Sequence, residues 1–296
     1  MLRFCCRCGL DLEPTPVLGV TTLDTLIYVL RGYSFEEQIE VFDAECNLQR
    51  FFTVPGLICA CDIVACNVHK CLYISDAYFH NSVHRLDLPL SETVTQWPVN
   101  DVPAGLSVTC NSSVLVTCPG VRKVKEFTTN GELVREVELA QDICGPLHAV
   151  QLSSGELIVC HGLLPTDPLH RVCLLDPNGQ VVKSFGGPSG SGSEQMCGPM
   201  HMAVDDNDRI SVCDSVNRRV LLLSPELIIH IGELLIPEQL DGAPCKLSLD
   251  LKQNRLYVAN NDTEHGEDGG RVVYVYYYRR VMTVSTRVYD KTPLRL

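Results

Sequence analysis

The sequence predicts an all-β fold, a six-bladed β-propeller of four-stranded antiparallel blades. Three observations carry the prediction: a short apolar motif returns six times, its neighbouring segments return with it, and the turns between them are hairpin turns. The motif reads LIYV from Leu26, LYIS from Leu72, VLVT from Val114, LIVC from Leu157, ISVC from Ile210 and LYVA from Leu256. A period of roughly 40–50 residues is that of propeller blades. The longest step holds GGPSGSGSEQMCG, Gly186 to Gly198, a loop insertion.

Each element follows in order. Strand a precedes the motif and often follows a proline: PAGLSV, PLHAV, PMHMAV, PCKLSL. The motif is strand b. Strand c is QIEVFD, SVHRLD, KVKEFT, RVCLLD, RVLLLS and RVVYVY. Strand d is LQRFFTV, TVTQWPV, ELVREVEL, QVVKSFGG and LIIHIGEL. Asn130-Gly131 and Asn178-Gly179 join c to d, while Ser154-Gly155 and Asp206 to Asp208 join a to b. Such pairs take the positive φ of tight hairpins. One meander cannot bury both of its faces, but six packed around an axis can.

The sixth repeat shows a, b and c, leaving its fourth strand open. Val281 to Val288, VMTVSTRV, is one candidate, and the segment before Pro14 is the preferred one because it ties the chain ends together. The domain reading is residues 1–16 as an N-terminal segment, 17–279 as the propeller and 280–296 as a C-terminal tail.

The chain has 296 residues, 45% hydrophobic and 20% charged, with formal net charge −12. That charge repels polyanions, so DNA is excluded as a partner, RNA is disfavoured and anionic membranes are a poor fit. No stretch approaches the ~20 apolar residues of a membrane span. The N-terminus, MLRFCCRCGLDL, lacks the apolar run of a secretory signal. The expectation is a reducing, cytoplasmic setting in which most of the sixteen cysteines are small buried hydrophobes. Cys5 and Cys8 form one C-x-x-C with no second pair to complete a zinc site. Cys59, Cys61, Cys66 and Cys71 fall on strand-like segments and read as packing. No cofactor is expected.

The repeat resembles the NHL family: proline, small-apolar strand, turn, strand ending in Asp, then Asn-Arg-Val. PMHMAVDDNDRISVCDSVNRRVLLL, Pro199 to Leu223, carries the resemblance best, and LYISDAYFHNSVHRLDL, Leu72 to Leu88, next. Such propellers often end tripartite-motif proteins, where they select substrates or RNA. The resemblance implies a non-catalytic recognition module with a protein partner, a substrate adaptor in the ubiquitin pathway, and not an enzyme. An RNA-binding propeller and a metal-dependent lyase or hydrolase are the alternatives.

The a–b and c–d turns share one face and are short. The b–c and d–a loops share the other and are long and uneven, which marks that rim as the binding face. The contact candidates there are Tyr78, Phe79 and His80 at a b–c loop tip, Trp97, His161, His170 and Arg218. Trp97, the only tryptophan, reads first as blade packing. Asp76, Asp214 and Asn260 end strand b and are expected to cap b–c loop N–H groups. Asn217 is followed by Arg218 and Arg219, one for the loop face and one for the blade. GPSGSG, Gly187 to Gly192, lies outside any strand-to-helix turn and reads as a flexible loop.

His148 and His201 each lie nine residues before their strand-b motif, at the channel mouth of adjacent blades. The same count in other repeats reaches Val17, Ile63, Gly105 and Leu247. The pair is similar to channel-mouth metal histidines of the peptide-amidating lyase. It supplies two ligands where a catalytic zinc takes three, so His161 or His170 would have to complete the set. The preferred reading is a hydrogen-bonded pair without metal.

Overall fold

The computed structural model describes residues 2–3, 16–32, 37–88, 94–164, 166–226, 230–235, 242–260 and 272–277. Strand β1 is Leu2–Arg3. Blade 1 is β2 (Val17–Leu23), β3 (Leu26–Arg31), β4 (Gln38–Phe42) and β5 (Leu48–Thr53). Blade 2 is β6 (Ala60–Cys66), β7 (Cys71–Asp76), β8 (Ser82–Asp87) and β9 (Val94–Pro98). Blade 3 is β10 (Leu106–Val108), β11 (Val114–Cys118), β12 (Lys123–Phe127) and β13 (Leu133–Glu138). Blade 4 is β14 (Pro146–Gln151), β15 (Leu157–His161), β16 (His170–Leu175) and β17 (Val181–Gly187). Blade 5 is β18 (Pro199–Val204), β19 (Ile210–Asp214), β20 (Arg219–Leu223) and β21 (His230–Leu235). Blade 6 is β22 (Pro244–Asp250), β23 (Arg255–Asn260) and β24 (Val272–Tyr277). The six antiparallel sheets form a six-bladed β-propeller. Its one described helical turn is the 3₁₀ segment Pro119–Val121.

The fourth strand of blade 6 is β1, with Leu2 opposite Val275 and Arg3 opposite Tyr274. Val281 to Val288 and the Cys5/Cys8 pair lie outside the described residues.

The core is six separate layers, one between each pair of neighbouring blades. Blades 4 and 5 meet through Ile158, Cys160, Val172 and Phe185 against Met202, Ile210, Val212 and Leu221. Blades 6 and 1 meet through Tyr257, Ala259 and Val273 against Val17, Val20, Ile27 and Val29. The middle strands are the most buried: β7, β11, β15 and β19 of strand b, and β16 and β20 of strand c, are buried along their whole length. That explains motifs that are apolar at every position rather than alternately: both faces of the sheet are covered. The outer strands β5 and β13 are mostly exposed.

The hairpins are built differently from two-residue turns. In the c–d turns of blades 3 and 4, Gly131 and Gly179 have positive φ and the asparagines before them do not. Gly179 N–H donates to Asp176 O at 3.0 Å, and Gln180 N–H to Asp176 Oδ1 at 2.9 Å. This is a turn followed by one left-handed residue, with a register shift at Leu174/Leu175. Cys118, Cys160, Cys173 and Cys245 are buried, and desolvation pushes each thiol up to about 12, so they pack as inert hydrophobes.

Candidate active site at the channel mouth

The innermost strands set the site. β2, β6, β14, β18 and β22 each carry an irregularity just after their first residue. Past it, Gly19 lies opposite Leu30, Asp62 opposite Ser75, His148 opposite Cys160 and Lys246 opposite Ala259. With Gly105, which accepts Thr117 N–H, and His201, one before Met202 opposite Val212, these are the six equivalent positions around the channel. Counting back from strand b places Val17, Ile63 and Leu247 there instead. The count slips because the a–b hairpins differ in length: Leu23 pairs with Leu26, Cys66 with Cys71, and Gln151 with Leu157.

Four of the six are ionisable. Lys246 Nζ lies 2.8 Å from Asp62 Oδ1, and His201 Nε2 lies 3.5 Å from Asp62 Oδ2. The rings of His148 and His201 stack, with centroids 3.8 Å apart. Burial pushes the Asp62 carboxyl up, but Lys246 and His201 together outweigh it and hold the group below the usual carboxylate range. Burial drives both imidazoles down: His148 well below the ordinary value, with His201 adding to it, and His201 against the opposing pull of Asp62. The site therefore holds one anion, one cation and two neutral rings.

Backbone partners fix those rings. Met202 N–H donates to His148 Nδ1 at 3.3 Å, so Nε2 carries the proton and donates to Leu106 O at 3.0 Å. Leu247 N–H donates to His201 Nδ1 at 3.3 Å, so His201 presents Nε2–H towards Asp62. Leu106 N–H donates to Asp62 Oδ2 at 2.8 Å. These bonds link blades 2 to 3, 3 to 4, 4 to 5 and 5 to 6. Gly105 permits the approach of blade 4, since a Cβ there would lie 2.5 Å from Leu147 O and 2.7 Å from His148 Cδ2.

A resident cation does not fit His148 and His201. Asp62 joins them to make three close donors, yet the lone pairs of both rings receive backbone N–H groups, and the Lys246 ammonium already sits on Asp62. His161 and His170 do not complete the set. His161 ends β15, accepts from Arg171 Nε at 3.3 Å, and is pulled to about 4 by burial and by Arg171. His170 starts β16 and accepts Gly198 N–H at 3.0 Å.

Tyr78 and Phe79 are exposed, and His80 stands on the surface beside them. Trp97 is buried at 6% exposure between Tyr73 and Phe127. Cys66 and Cys71 are buried, whereas Cys59 and Cys61 are half-buried at the rim. Asp76 and Asp214 receive d–a loop amides, from Cys59 at 2.9 Å and Cys197 at 2.6 Å, rather than the b–c loop amides expected. Arg218 sits at φ 53, half-buried, while Arg219 reaches Asp214, Glu233 and the carbonyls of Ser191, Gly192 and Gln195. GPSGSG is thus anchored by Arg219 and by Asn217 to Gly190 O, not a free loop.

Sequence reading missed Asp62, Lys246 and Glu37. The first two were hidden by the slipped count. Glu37 immediately precedes β4, and its Oε1 accepts Ala60 N–H at 3.3 Å while buried Oε2 has no partner. Burial pushes its carboxyl up.

No family model matches the chain. Over 152 residues it is 26% identical to lactonase drp35 of Staphylococcus epidermidis, across 50% of this chain and 44% of that protein. The chain thus matches less than half the length of this relative. Among solved structures, catalytically inactive virginiamycin B lyase from Staphylococcus aureus with quinupristin superposes with TM-score 0.60 at 12% identity, covering 92% of this chain and 87% of that one. A streptogramin B lyase gives TM-score 0.61 at 12% identity, over 91% and 85%. These neighbours are six-bladed propellers. The expectation of a non-catalytic binding platform that is not an enzyme is overturned by the sequence relative, which is a lactonase; the structural neighbours bear on the fold. The repeat pattern reports blade packing, which binding and catalytic propellers share, and so could not separate the two.

Proposed function

We propose that the chain is a lyase or hydrolase acting on a small ester or lactone, with its reaction centre at the loop-face end of the channel. One observation carries this reading: Lys246 and the His201 Nε2–H both point at the buried Asp62 from blades 6 and 5. Perturbed ionisable groups gathered in a concavity mark functional sites. An ammonium has three N–H donors and Asp62 engages one. The donors left over suit a developing oxyanion on a substrate carbonyl, while the single N–H of neutral His201 stays on Asp62. Asp62, held ionised, positions the ammonium and is a poor proton acceptor. Glu37, which accepts the amide of Ala60 two residues before Asp62, is the better one, since burial raises its proton affinity and one oxygen is unpartnered. The NHL-type reading of the repeat draws support from Asp76 and Asp214, which cap d–a loop amides in the same way in two blades.

The test is turnover of aryl esters, lactones and a cyclic depsipeptide. Lys246→Met is expected to cost about 10²–10³ in kcat, the usual loss for one oxyanion donor, with the fold intact by circular dichroism. Absence of turnover on every substrate, or an unimpaired Lys246→Met protein, removes the reading. Glu37→Gln is expected to lower the rate by about 10²–10⁴ and to flatten the acid limb of the pH–rate profile.

A further inference from the structure

Blade 2 carries a second cluster on the same rim. Asp76 ends β7, His80 tops the b–c loop, and His84 lies in β8. His80 Nδ1 is 2.9 Å and His84 Nε2 3.2 Å from one oxygen, Asp76 Oδ2. All three donors lie within 4.8 Å of one another. We propose that Asp76, His80 and His84 form a binding site for a divalent first-row transition ion, zinc by donor set, with one coordination position open to solvent.

The spacing is that of ligands around such an ion. Zinc bonds of about 2.0–2.1 Å at tetrahedral angles separate donors by about 3.3 Å. Two imidazoles and a carboxylate are the borderline set that zinc accepts. The first sphere is oriented from behind. Asp76 Oδ1 accepts Cys59 N–H at 2.9 Å, which turns Oδ2 to the histidines. Such an outer partner fixes ligand geometry in metal sites. Ser82 Oγ, held by Gln96 Nε2 at 2.7 Å, lies 3.4 Å from His84 Nε2, the nitrogen that faces Asp76.

Comparison with the other blades strengthens the assignment. In blade 5 the equivalent carboxylate, Asp214, is neutralised by Arg219 at 2.7 Å. In blade 2 the corresponding first residue of strand c is Ser82, and two histidines face the carboxylate instead. His84 is fully buried and presents Nε2 to the carboxylate. The loop carries backbone strain to hold His80 in place, since Tyr78 (φ 66) and Asn81 (φ 46) are both left-handed. Tyr78 N–H donates to Asn81 Oδ1 at 3.0 Å and closes it. His80 is 40% exposed at its side chain, so the ion's fourth position faces water.

This site stands independently of the proposed reaction. Metal-free protein is titrated with zinc chloride under reducing conditions, followed by calorimetry, elemental analysis after dialysis, and thermal melting. One saturable equivalent and a zinc-dependent rise in Tm are expected. His80→Ala, a surface change that leaves the fold alone, is expected to weaken binding about tenfold or more, as is His84→Asn. His69→Ala, exposed elsewhere in blade 2, and Cys5→Ser/Cys8→Ser are expected to bind as the parent does. The proposal is overturned by absence of saturable binding. It is equally overturned by binding that survives His80→Ala, or that disappears with Cys5 and Cys8.

Discussion

Asp62 owes its ionisation to its neighbours and not to its depth. Alone at 1% exposure it would be driven towards the protonated form; Lys246 and His201 reverse that. The same burial keeps His148, His201 and His161 neutral. Their protons bind less readily in the folded chain, so the unfolded chain holds more protons below about pH 6.5. Stability is complete above that value and declines as pH falls towards 4. Urea midpoints at pH 7.5 and 5.5 should show the decline, and His148→Asn should shrink the difference between them. Equal midpoints would contradict neutral buried rings. Asp62 and Lys246 were within reach of sequence reading once hairpin lengths were known, because the ring position is a matter of register. The run Asp76-x-x-x-His80-x-x-x-His84 is likewise visible in the sequence. Only a strand–turn–strand brings that spacing to one point, and read as a loop tip it looked like contact surface.

Among the elements, the hairpins between c and d show how one turn supports the next blade. Gly131 has φ +86, and a Cβ there would lie 2.5 Å from Trp97 Cγ. Gly131→Ala is expected to cost at least ~1 kcal/mol through the backbone alone. Trp97→Ala should cost about 3–5 kcal/mol, because it empties the layer between blades 2 and 3 that Tyr73, Val99, Leu106 and Phe127 share. Chemical denaturation measures both, and a Trp97→Ala loss below 1 kcal/mol would mean that this layer collapses without it. Strands b and c were legible as apolar runs, and the glycines as turn positions. The one-residue bulges of the inner strands were not, since a bulge leaves composition unchanged while re-aiming every side chain after it.

The whole molecule is a closed ring of six layers, with no single centre to its core. Closure depends on β1 completing blade 6 from the other end of the chain. Removal of Leu2 and Arg3 should therefore open the edge of β24 and lower Tm by about 2–4 °C for each kcal/mol lost. An unchanged melting temperature would show that this strand adds nothing to closure.

Six repeats, their four strands and the loop-bearing rim were written in local pattern, because each blade must be apolar on both faces and must turn tightly at one end. Which side chains meet at the mouth of the channel was not. Asp62, His148, His201 and Lys246 come from four blades whose separation along the chain carries no mutual signal, and their charges are set by burial and by one another only after the ring has closed.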